Sequence, residues 1–73
     1  HQDSLMMSTR LAAGERLGYA FSEERQGYLH IARGQVRVGN AVLKQGDGLR
    51  VQKQAALQIE GIEDAEALLF DLP

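Results

Sequence analysis

Glycines at 34, 39, 46 and 48 cut the middle of this chain into runs of alternating residues that are too short for helices. Tyr28–Arg33, Gln35–Val38 and Ala41–Lys44 each stop at one of these glycines or just short of one. Glycine accepts φ > 0 without a Cβ clash, so it marks where a chain can reverse tightly. Short alternating runs between such reversals are the pattern of a small all-β barrel or sandwich.

The rest of the sequence keeps to that pattern. Leu5 to Ala13 reads as a first strand closed by Gly14. In Glu15–Phe21, Leu17, Tyr19 and Phe21 fall on one face. Ser22–Gly27 is polar and reads as a loop, and Tyr28–Arg33 is apolar on both faces, which predicts a central strand. Val36 and Val38 point inward, Gly39-Asn40 is a hairpin pair, and Ala41–Lys44 completes that hairpin. Leu49 and Val51 share one face; Ala55, Leu57 and Ile59 share another. After a turn at 61–64, Ala65–Leu72 forms a final strand whose last half is apolar on both faces apart from Asp71, again a central position. Alanine, glutamate and leucine are also good helix formers, so a helix over 63–72 is the alternative there. The count comes to roughly eight short antiparallel strands.

At 73 residues the chain is a single domain. A domain of that size buries only roughly 60% of the surface its unfolded chain exposes, so it needs support from elsewhere. It contains no cysteine, which excludes disulfides and thiolate metal sites, fits a reducing cytoplasm, and leaves a partner surface as the expected support. The start at His1 leaves a fragment, a processed product and a free-standing chain all open. No run approaches the roughly 20 apolar residues of a membrane helix, and no signal peptide leads the chain, so it reads as soluble. Net charge is −2, and all Lys and Arg lie at or before Lys53, whereas residues 54–73 carry only acids. Nucleic-acid binding needs a dense basic patch. Arg33, Arg37, Arg50 and Lys53 are instead spread over strands as solvated outer positions, so no nucleic-acid partner is expected.

The order strand, Gly34, strand, Gly39-Asn40, strand, Gly46-Asp47-Gly48, strand resembles the core of a cupin, a small jelly roll. The match widens with His1-Gln2-Asp3, Leu11-Ala-Ala-Gly14-Glu15 and Glu63-Asp-Ala-Glu-Ala-Leu-Leu-Phe-Asp-Leu-Pro73. In that order and spacing they resemble the C-terminal cupin domain of pirin-like bicupins, the bacterial quercetin 2,3-dioxygenase-like family. The resemblance covers essentially the whole chain and implies a C-terminal cupin domain over residues 1–73. Cupins carry two His and a Glu ahead of one turn glycine and a further His after a Gly-Asp turn, and these hold a transition metal. Anchored on Gly34, the first motif places its histidines at Phe21 and Glu23 and its glutamate at Gly27. Anchored on Gly46, the second places its histidine at Leu57, and its usual Pro and Gly at Gln52 and Gln54. Metals need the lone pairs of imidazole or carboxylate. The resemblance therefore implies vacated ligand positions and no cofactor in this chain. The divalent transition metal and the catalysis would belong to the N-terminal cupin of a parent bicupin, which would also be this domain's partner.

Other residues compete for a chemical role. His30, on a strand face with Tyr28 and Ala32, reads as a ligand or base, or as a half-buried structural side chain, the preferred reading. His1 reads as a frayed end, Glu23-Glu24 as solvated charge, and Asp47 as the cap of its own turn. Met6 and Met7 read as packing residues. The expected function is accessory and structural: packing against the N-terminal cupin of a quercetin 2,3-dioxygenase-like protein, with a homodimer expected when isolated. The alternative is a free-standing single cupin that binds a small apolar ligand in its interior. A filled interior would tell the two apart.

Overall fold

A computed structural model describes residues 4–22, 24–52 and 56–73. Eight strands follow one another: β1 (Leu5–Leu11), β2 (Arg16–Ala20), β3 (Gln26–Arg33), β4 (Gln35–Val38), β5 (Ala41–Lys44), β6 (Gly48–Gln52), β7 (Ala56–Gly61) and β8 (Ala65–Leu72). They form two four-stranded sheets, one ordered β1-β8-β3-β6 and the other β2-β7-β4-β5. Every pairing is antiparallel. The fold is thus the expected all-β jelly roll, in its open-sandwich form rather than a closed barrel. Residues 65–72 are a strand, not the competing helix. Both strands expected to be central, β3 and β8, lie side by side in the middle of the first sheet.

The sheets face each other through the alternation read from the sequence. Leu29 and Ile31 of β3, Val36 of β4, Leu57 and Ile59 of β7, and Ala67 and Leu69 of β8 make up the deepest core. Leu17 and Tyr19 pack against it from β2. The inward face of β8 is small at its start, with Ala65 and Ala67 both buried.

The glycines divide into two kinds. Gly34 (φ +77°) closes the β3–β4 reversal beside a register shift between Ile31 and Arg33, and its α-carbon faces the carbonyl of Asp64 so closely that no side chain fits. Gly48 was expected in a turn; it is instead the first residue of β6, with no positive φ. Its constraint is steric, because the Tyr28 ring lies over it, so a Cβ there would collide with the phenol. Asp47 caps its turn as expected, its carboxylate accepting the Lys44 N–H at 2.8 Å. The loop read over Ser22–Gly27 is shorter than expected, because β3 starts at Gln26.

Candidate functional site

Three of the four positions at which the resemblance would place metal ligands lie within the described residues. Phe21 follows β2, Gly27 sits near the start of β3, and Leu57 is in β7. All three are buried, Phe21 to 8% and Leu57 to 2% exposure. Phe21 and Gly27 meet: a Cβ at Gly27 would run into the tip of the Phe21 ring. The space that a glutamate side chain would take at 27 is therefore filled by a phenyl group from 21. Tyr19 packs edge-on against that ring, centroids 4.9 Å apart and planes at 77°. Phenyl, hydrogen and isobutyl groups supply no donor atom, so these three positions do not fit a metal ion. Glu23, the fourth, lies outside the described residues, as do His1, Lys53, Gln54 and Ala55.

Beside this packed plug sits the main polar feature of the interior. Asp71 of β8 shares the inward face with Ala67 and Leu69 and is 5% exposed. Tyr19 donates its hydroxyl to Asp71 Oδ2 at 2.5 Å. Arg25, from the β2–β3 loop, donates Nε to Asp71 Oδ1 at 2.8 Å and Nη2 to the Asp71 carbonyl at 3.1 Å. Tyr19 belongs to the second sheet and Asp71 to the first, so the carboxylate ties the two sheets together. Burial pushes the Asp71 carboxyl up, but the hydrogen bonds from Tyr19 and Arg25 and the Arg25 charge outweigh it and hold the group below the usual carboxylate range. The hydrogen bond to Asp71, followed by burial and the carboxylate's charge, raises the Tyr19 phenol above its ordinary value; Arg25 opposes this. Asp71 is thus held ionised and Tyr19 held as the neutral, protonated phenol. The pair is a fixed anion and a fixed donor at physiological pH, a clamp rather than a proton relay.

The composition-based reading passed over this cluster: Arg25 stood in a polar loop and Asp71 was an exception in an apolar strand. A parity signal was nevertheless present. Asp71 has the same parity as Ala65, Ala67 and Leu69, and an inward carboxylate must find partners.

His30 is half-buried on the outer face of the first sheet, opposite Gly48 on one side and Leu68 on the other, away from Phe21 and Leu57. Glu24 is exposed in the β2–β3 loop with φ +66°. Met7 packs against the core, whereas Met6 is 63% exposed. Arg33, Arg37 and Arg50 are exposed as expected. Among the described residues no three His, Asp, Glu or Cys side chains converge, and no helix is long and apolar enough to cross a membrane.

Comparison with known proteins converges on one family. The family described as the quercetinase C-terminal cupin domain matches residues 1–72. A pirin-like protein of Caulobacter vibrioides is 38% identical over 69 residues, which are 94% of this chain and 30% of that protein. The quercetin 2,3-dioxygenase of Escherichia coli K12 is 30% identical over all 73 residues, 32% of its own length. The crystal structure of the bacterial pirin YhhW from Escherichia coli in complex with nickel(II) superposes over 100% of this chain and 32% of its own, with a TM-score of 0.94 at 30% identity. The chain thus spans about a third of the length of these relatives.

Proposed function

Because the chain belongs to the quercetinase C-terminal cupin domain family, we propose that it is the metal-free accessory domain of a quercetin 2,3-dioxygenase-like bicupin. In this reading, residues 1–73 form one domain that holds no ion and performs no catalysis. The metal, of the kind seen as nickel(II) in the related bacterial pirin, sits in the N-terminal cupin of the same protein. The observation that carries the reading is the Phe21 ring seated on Gly27, with Leu57 buried nearby. Hydrocarbon fills positions where a metal-binding cupin needs nitrogen and oxygen. The same packing favours the accessory reading over a module that holds a small apolar ligand, since such a ligand would need the room the ring takes. The absence of cysteine supports a cytoplasmic setting.

Metal analysis tests the proposal. The 73-residue chain, incubated with nickel(II), iron(II) or copper(II) and then desalted, is expected to retain no stoichiometric ion. One tightly held ion per chain, still present after His1→Ala, would overturn it. Oxygen uptake with quercetin is expected from the longer protein and not from this chain.

A further inference from the structure

The outer faces of the two sheets differ in chemistry. On the first sheet, strand alternation turns Met6 of β1, Leu68, Phe70 and Leu72 of β8, and Tyr28 of β3 away from the core. The register lines up Met6, Phe70 and Tyr28 directly across three strands. Met6 is 63% and Tyr28 40% exposed, and the Tyr28 and Phe70 rings stand 6.2 Å apart. On the second sheet, the corresponding outward positions are polar or small: Arg16, Gly18, Gln58, Glu60 and Arg37, with Val42 the isolated exception. A solvated antiparallel sheet reads polar on its outer face; the second does apart from Val42, whereas the first is polar at Ser8, Arg10, His30, Arg50 and Glu66 but apolar along the row that Met6, Phe70 and Tyr28 form. A contiguous apolar row on a domain this small marks an interaction surface.

We infer that the outer face of the β1-β8-β3-β6 sheet is the docking surface for the companion cupin domain of the longer protein. This rests on the accessory reading above and adds the face, the residues and the occupant. The occupant is chosen from length and size. The relatives carry about two further chain-lengths of polypeptide beyond the matched part. The molecule measures 37 × 19 × 17 Å, so a broad face offers roughly 700 Å², close to the roughly 800 Å² per partner of a standard interface. Only one row of that face is strongly apolar, and its central Phe70 is already half-buried, as are Leu68 and Leu72 on either side. Such a face is weak for association between separate chains, but sufficient for a tethered domain, whose effective concentration reaches the millimolar range.

The test uses the product of the complete reading frame that encodes this chain. Single-cysteine variants Met6→Cys and Tyr28→Cys on the first sheet, and Val42→Cys and Gln58→Cys on the second, are labelled with a maleimide and read by peptide mass spectrometry. In the native protein the first pair is expected to label at least about tenfold more slowly than the second; in denaturant all four should label alike. Hydroxyl-radical oxidation of the unsubstituted Met6 and Tyr28 gives the same reading without a substitution that could disturb folding. Equal native labelling at all four positions would overturn the inference. So would protection that disappears on dilution to nanomolar protein, because the occupant would then be a second copy; a reading frame that encodes no companion domain would overturn the accessory reading together with this inference. Neither labelling result alters the metal content of the chain, so failure of the accessory reading stays separately visible.

Discussion

Gly27 and Phe21 explain each other. A phenyl ring can lie across the inward start of β3 only because residue 27 has no side chain, and residue 27 can lack one without leaving a void only because the ring is there. Deleting the ring in Phe21→Ala should cost about 3–5 kcal/mol, the range for emptying a buried aromatic site. Gly27→Ala should destabilise the chain on its own, because its new Cβ meets the ring and well-packed interiors do not absorb overpacking freely. In Phe21→Ala/Gly27→Ala the alanine methyl no longer has a ring to strike. The double variant should therefore lose clearly less stability than the sum of the singles, with a coupling of about 1 kcal/mol or more in urea unfolding. Strict additivity would show that the two positions are packed independently.

At the scale of strands, sequence periodicity placed nearly every element, and its failures have physical causes. The shared face of Leu17 and Tyr19 and the inward parity of Val36, Leu57 and Ile59 were legible because one face of each strand is buried, so alternation is strictly enforced; in β3, apolar on both faces, the sequence did not show that Leu29 and Ile31 are the inward pair. The start of β3 was not legible: Gln26-Gly27 looks like loop composition, and only the Phe21 ring across the chain fills the inward slot that glycine leaves. Gly48 looked like a turn residue for the same reason, since a sequence does not show that Tyr28 of a neighbouring strand will lie over it. The two kinds of glycine should respond differently to substitution. Gly46→Ala places a methyl in open space at a left-handed φ of +92° and should cost about 1 kcal/mol, the backbone penalty alone. Gly34→Ala adds a clash with the Asp64 backbone to a similar penalty and should cost about 2 kcal/mol or more, loosening the β3–β4 reversal. Equal losses for the two in chemical denaturation would mean that the Asp64 approach imposes no constraint.

Across the whole molecule, the outcome depends on what holds two small sheets together. Most of the answer is the shared hydrocarbon core, but Asp71 adds a charged tie between β8 of one sheet and Tyr19 of the other, with Arg25 closing it from the loop. Composition concealed this tie; only the parity of one residue disclosed it. It makes stability depend on pH at both ends of the range, with signs that follow from linkage. The folded-state pKa of Asp71 is lowered, so its stabilisation is present above the ordinary carboxylate pKa of 3.8 and is lost as the pH falls through the folded value. The Tyr19 pKa is raised from 10.0, so its stabilisation is present below that value and is lost as the pH rises through the folded value. Asp71→Asn removes the carboxylate that both partners hold and should cost about 2–3 kcal/mol at neutral pH, the range for buried hydrogen bonds to a charged group. Its stability profile should also be flatter than that of the parent chain at the acid end, so that the gap between the two narrows as the pH approaches 2 or below. Urea midpoints measured across the pH range provide the check. A constant gap from neutral to acid pH would place the origin of acid sensitivity elsewhere and leave the inter-sheet tie without energetic weight.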